Sequence, residues 1–198
     1  MDKKNNIKKF VKKAIDWELW VEKADQLIKV ADLIKPHINK NAWNTMQGKV
    51  RLEYYPIYFM LISYALENLL KALKIKNNSQ LERKIKQTGK IPDNLLTHDI
   101  YTLAKESGIV SEGDYVALTE ALLKRMSLST KWFSRYPTPV KATDMNYFEL
   151  ENADFRGMLR SYSSEDVSEI DKIIASVYTK LGKQVPKSEM REKWNSGQ

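Results

Sequence analysis

The chain is 198 residues long, carries 33 basic against 25 acidic side chains for a net charge of +8, and contains no cysteine. That length supports one sizeable core without help from a metal or a disulfide. The missing cysteine excludes disulfides, thiolate zinc sites and cysteine nucleophiles together.

The basic start, MDKKNNIKKF, is not followed by the apolar run of a signal peptide. No other stretch reaches the roughly 20 apolar residues needed to cross a bilayer, so a cytoplasmic domain without a membrane partner is expected. The charge is unevenly placed. Six lysines lie in the first thirteen residues, and 71–90 holds seven basic residues against Glu82 alone, whereas 144–155 holds four acids and no base. Two basic regions and one acidic one suit either a lysine-rich solvated surface or a nucleic-acid footprint.

In chain order, Ile7, Phe10, Ala14, Trp17, Val21, Ala24, Ile28 and Ala31 alternate in steps of three and four. This predicts one long helix with a narrow apolar seam, either a first bundle helix or an arm for a protein partner through 7–34. Pro36, Asn39 and Asn41 should stop it. Residues 42–55 repeat Trp43, Met46, Val50 and Tyr54 at helical spacing, and Pro56 then kinks that helix or opens a new one.

The stretch 56–76, PIYFMLISYALENLLKALKIK, is the expected centre of the fold. It is apolar almost all round to Leu66, so its first turns must be covered on nearly every side. Farther on, Ser63, Glu67, Lys71 and Lys74 fall on one polar stripe and Ile62, Leu66, Leu69 and Leu73 on an apolar one. A short charged helix to Gly89 follows. Next comes a helix opened by Thr97, with Asp99 in its first turn and Gly108 at its end. The spacing then predicts a helix from Ser111 to about Tyr136, interrupted near Ser129 or Thr130. A proline-containing loop follows, then a last helix from Ser163 or Ser164 that buries Val167, Ile170, Ile174 and Val177 and stops at Gly182. These elements form an all-α antiparallel helical bundle in one domain, 1–183, with 184–198 as a flexible polar tail.

Few residues invite chemistry. His37 and His98 are the only imidazoles, and neither has metal-ligand spacing around it, so no metal or cofactor is implied. His98 with Asp99 stands at a helix N-terminus, as a packed histidine or an anion-binding one. Glu67 and Asn68 follow an apolar run and need partners if buried, and Lys71 one turn on is the simplest partner for Glu67. Arg125, Trp132, Arg135 and Tyr136 combine guanidiniums and aromatics near a helix end, the residue types that grip phosphates and stack on bases; helices also use them to cover a neighbouring loop.

The sequence of YALENLLKALKI, a polar gap, THDIYTLAKESGI and a helix ending WFSRYP resembles the HEPN superfamily of prokaryotic helical domains over about 54–136. The long N-terminal helix and the C-terminal helix lie outside the resemblance. It implies an antiparallel helical bundle, a homodimer, and an RNA or nucleotide partner in a bacterial defence, stress or RNA-processing context. Active members cut RNA without a metal, using an arginine and a histidine with four to six residues between them. Arg135 stands where that arginine is expected, but Val140, Lys141 and Ala142 occupy the histidine's place. The catalytic pair is therefore incomplete, and the remaining catalytic candidates are Arg135 and His98. The resulting expectation is a non-catalytic or divergent HEPN-like domain that binds RNA or a nucleotide through Arg125, Trp132, Arg135 and Tyr136. The alternatives are a protein-interaction or dimerisation module and an active metal-independent ribonuclease.

Overall fold

The computed structural model describes residues 3–38, 54–110, 116–133 and 165–186. Among them every regular element is helical: α1 (Lys3–Ile15), α2 (Trp17–Ile34), α3 (Tyr55–Asn77), α4 (Ser79–Thr88), α5 (Asp93–Leu96), α6 (Ile100–Glu106), α7 (Val116–Leu128) and α8 (Asp166–Lys180). The fold is an all-α bundle.

The centre is α3. Tyr55, Tyr58, Phe59, Ile62, Leu66, Leu69, Leu70 and Leu73 are each at most 1% exposed. Pro56 sits in its first turn, where the missing N–H leaves no vacancy. Tyr55 stacks on Phe59 with ring centroids 5.7 Å apart and meets Tyr58 edge-on at 6.3 Å. Around this spine α2, α6, α7 and α8 contribute Val21, Ala24, Ile28, Ile100, Leu103, Leu122, Met126, Ile170, Ile174 and Val177 to one core.

Contacts between the helices give the directions. Lys35 meets Asp171 at 2.5 Å at one end of the α2–α8 pair, and Lys183 meets Glu18 at 3.3 Å at the other. So α2 runs antiparallel to α8. It is also antiparallel to α3, with His37 against Tyr54 at one end and Lys76 over the Trp17 ring at the other. By contrast α3 and α8 run the same way, since Tyr55 reaches Asp166 and Lys76 reaches the Leu181 carbonyl.

The segment 7–34 is two helices rather than one. Asp16 leaves the helical region at φ −78°, ψ 90°, and its carboxylate accepts the Glu18 N–H, capping α2. The apolar seam is thereby divided between two partners. Its second half, Val21 to Ala31, is buried in the main core, while Ala14 joins Ile75, Leu81, Ile85 and Leu95 in a smaller cluster between α1, α4 and the end of α3. Ile7 and Phe10 are left 48% and 38% exposed. A Cβ on Gly89, at φ +61° beyond the end of α4, would lie 3.4 Å from the Ile7 side chain, which shows how closely α1 crosses that turn.

One other boundary differs from the expectation. Asp99, not Thr97, is the N-cap of α6 and accepts the Thr102 N–H, while the Thr97 hydroxyl accepts the Asp99 N–H. The extra turn α5 precedes it. The interruption expected near Ser129 is present as a π-helical turn, Ser129–Phe133, that continues α7. The predicted helix over 42–53, the cap at Ser111, the proline loop and the tail from 187 lie outside the described residues. No helix of the described residues is long and apolar enough to cross a membrane.

Candidate functional site

The polar stripe of α3 does not face water. Ser63, Glu67 and Lys71 are 0%, 5% and 5% exposed. Two successive one-turn steps place them above one another on the helix, and α5, α6 and the π-turn lie over that side. A carboxylate and an ammonium in such a place must neutralise each other. Lys71 Nζ lies 2.6 Å from Glu67 Oε1.

The carboxylate has a second partner. His98 Nδ1 lies 3.0 Å from Glu67 Oε2 and 3.2 Å from Oε1, bridging the two oxygens from the segment between α5 and α6. The ring sits at the surface, its side chain 52% exposed against 7% for Glu67. A neutral imidazole that donates from Nδ1 to a carboxylate carries its lone pair on Nε2. Nε2 has no partner among the described residues. The backbone under His98 is also fixed: Thr130 Oγ1 donates to the His98 carbonyl at 3.1 Å, and Tyr64 Oη donates to the Thr130 carbonyl at 3.0 Å. Glu67, Lys71 and His98 thus form a buried ion pair that orients one exposed imidazole, the arrangement a general base requires. Among the described residues no three carboxylates or imidazoles come together as a metal site.

Asn68, one residue on, points elsewhere. Its amide donates to the Tyr64 carbonyl at 2.7 Å, and it lines a groove beside α1.

Arg125 is held in a different place. It forks onto Asp166 with contacts of 2.7 and 2.6 Å, and Tyr55 Oη donates to the same carboxylate at 2.9 Å. The Arg125 side chain is 13% exposed and that of Asp166 5%. Burial, and then the Asp166 carboxylate, push the Tyr55 phenol well above the usual tyrosine range. This bidentate pair locks α7 to the start of α8. Trp132 lies in the π-turn, with its side chain outside the described residues, as are Arg135 and Tyr136. The structure therefore brings Glu67, Lys71 and His98 together and keeps Arg125 apart from them.

The two basic regions of the sequence meet. Because α1 packs on α4, the helix that carries the exposed Lys8, Lys9, Lys12 and Lys13 lies beside the segment that carries the exposed Arg83, Lys84, Lys86 and Lys90. Only Lys86 of these has an ion-pair partner among the described residues, Glu82 at 2.5 Å. Composition shows each region separately, but only the fold makes them neighbours.

Comparisons with protein-family models, with curated proteins and with solved structures find no match for this chain.

Proposed function

We propose that this protein is a HEPN-like helical domain that binds single-stranded RNA, and that the shared face of α1 and α4 is its main contact surface. The observation that carries the reading is the packing of the two basic helices against each other, with a single acidic residue, Glu82, between them in α1 and α4. Unpaired cations gathered on one face bind a phosphate backbone by releasing condensed counterions. Arg125 is not part of this surface, since its guanidinium is committed to Asp166. The sequence resemblance supports RNA as the polymer and a bacterial defence or stress role as the context. It also supports a homodimer, for which Val30 and Leu33 on α2 and Ile57 on α3, 45–55% exposed, offer apolar surface.

Titration of labelled single-stranded RNA at low and moderate salt tests the proposal. Affinity should fall with a log–log salt slope of about −0.7 per phosphate contacted. Replacing Lys8, Lys9, Lys12 and Lys13 by alanine should weaken binding and flatten the slope. Absent or salt-insensitive binding would refute the reading and leave a protein-interaction module in its place.

A second reading rests on His98. With the ring oriented by Glu67, Nε2 would take the proton of a ribose 2′-hydroxyl as the 2′-oxygen bonds to the adjacent phosphorus; the bond from phosphorus to the 5′-oxygen would break, and that oxygen would take a proton from solvent. That is metal-independent ribonuclease chemistry. Denaturing gels of the same titration samples test it: shortened RNA that persists in His98→Ala would remove His98 from the reaction.

A further inference from the structure

An open groove of about 380 Å3 runs between α1, α2, α3 and the segment after α4. Its walls are apolar: Phe10, Leu19, Trp20 and Ile91 line it, with Lys13 and Lys23 among the lining residues and Asn68 the one uncharged polar side chain. The volume lies at the lower end of the roughly 300–1,000 Å3 range of small-ligand sites. Phe10 and Leu19 remain 38% and 39% exposed, so large apolar surface faces solvent beside α1, a helix with lysines and no acidic residue. The Trp20 ring is fixed, because its indole N–H donates to the Ala14 carbonyl at 3.2 Å.

We infer that this groove seats an unpaired nucleobase of the bound RNA strand, with Phe10 and Trp20 as apolar and stacking walls, Asn68 at the base edge, and Lys13 and Lys23 on the flanking phosphates. The inference rests on the proposed RNA-binding function and names what is read beside the phosphates. Charge complementarity and the polar residue select this occupant. Lysines beside an apolar slot fit an anion with a flat apolar body, and aromatic walls accept any base face. Asn68 spends one N–H on the Tyr64 carbonyl, leaving its carbonyl oxygen and second N–H without a partner among the described residues. A donor and an acceptor side by side match the edge of a base; an acyl chain has nothing to offer them. The groove is also continuous with α1, since Phe10 and Lys13 belong to the helix that carries Lys8, Lys9 and Lys12.

The test uses the full chain with three probes of equal charge or composition: a single-stranded adenosine 12-mer, an abasic ribose-phosphate 12-mer, and anionic phosphatidylglycerol vesicles. The wild type should bind the adenosine strand about tenfold more tightly than the abasic one, as stacking of one base requires. Phe10→Ala, at a surface position, should erase that difference and leave abasic binding unchanged, while Lys8→Ala with Lys9→Ala should weaken both strands together. Trp20→Phe, which keeps a ring in the wall, should retain part of the preference. Equal binding of both strands in the wild type would overturn the groove assignment while leaving the basic-face reading intact. Binding to neither strand would overturn both. Vesicle binding that Phe10→Ala removes, with the preference for adenosine unaffected, would assign the groove to lipid and overturn the inference.

Discussion

Glu67→Gln measures whether the charge cluster on α3 acts as a buried site. Glu67 and Lys71 side chains are each 7% exposed and their charged atoms are 2.6 Å apart. An exposed pair at this spacing would contribute about 0–1 kcal/mol. Removing one partner of a buried pair instead leaves an uncompensated charge, at a cost of about 3–5 kcal/mol. Glutamine keeps the volume and an amide oxygen within reach of Lys71, so the loss should lie near the lower end, about 3 kcal/mol. Lys71→Met strands the opposite charge: the Glu67 carboxylate keeps only the contact with His98 Nδ1 at 3.0 Å, so a loss of about 3 kcal/mol is expected there as well. The double change Glu67→Leu with Lys71→Met should be milder than Glu67→Gln alone, since an apolar pair of similar volume leaves no stranded charge.

Urea unfolding followed by far-ultraviolet circular dichroism reads these differences. With a slope of about 1–3 kcal/mol per molar urea, the Glu67→Gln midpoint should fall by on the order of 1–3 M with the slope unchanged. A midpoint within about 0.3 M of wild type in either single variant would refute the description of this cluster. His98→Ala should leave stability within about 1 kcal/mol, because half of its side chain is in solvent. It is therefore usable in RNA assays.

Three further outcomes can be checked on the same protein. Tyr55→Phe removes the hydroxyl that donates to Asp166 at 2.9 Å and should lower stability by about 1.5–3 kcal/mol, with Arg125 still holding the carboxylate. Because the folded Tyr55 phenol is raised, its contribution is present below the ordinary value of 10.0 and lost as pH rises through the raised value; at 295 nm the wild type should show one more tyrosine that ionises only with unfolding than Tyr55→Phe does. Glu120 is held below the usual carboxylate range, first by its hydrogen bond with Lys124, so its contribution is present above pH 4.5 and lost as pH falls through the lowered value. In a Lys124→Met protein the difference from wild type should accordingly shrink in acid, as thermal melts across pH 3 to 6 would record. Gly89→Ala, at φ +61°, should cost about 1 kcal/mol and show first in hydrogen exchange of α4.

What the sequence discloses follows the range of each force. Helix and stop signals act over a few residues, so α3, α4 with Gly89, α6 with Gly108 and α8 with Gly182 stand close to their predicted bounds. The pairing of Glu67 with Lys71 is equally local, one turn apart on one helix. Asp16 shows where a local signal is overridden by another: the three-four apolar spacing runs straight through it, yet a side chain that bonds the Glu18 N–H ends one helix and starts the next. The contacts that build the site are long-range. Glu67 with His98 spans 31 residues and Arg125 with Asp166 spans 41, and no periodicity encodes either.

The stripe of Ser63, Glu67 and Lys71 is the instructive case, because its pattern on the helix is that of a solvent-facing side. Hydrophobic spacing locates the apolar face of a helix but is silent about what the rest of the fold lays over the polar one. Here the bundle covers both faces, and once covered, a charged stripe is stable only if its members satisfy one another. Ser63 shows the alternative: its hydroxyl is buried with no hydrogen-bond partner among the described residues. Glu67 escapes that state twice over, through Lys71 and through His98. A structural pair needs only the first of these contacts. The second aligns an imidazole whose side chain is 52% exposed. His98→Gln separates the two purposes. Its side-chain amide can still donate to Glu67 and maintain the cluster, so stability within about 1 kcal/mol of wild type with every RNA-dependent activity unchanged would make His98 a structural cap. Retained stability with lost RNA cleavage would make the exposed nitrogen the reason for the arrangement.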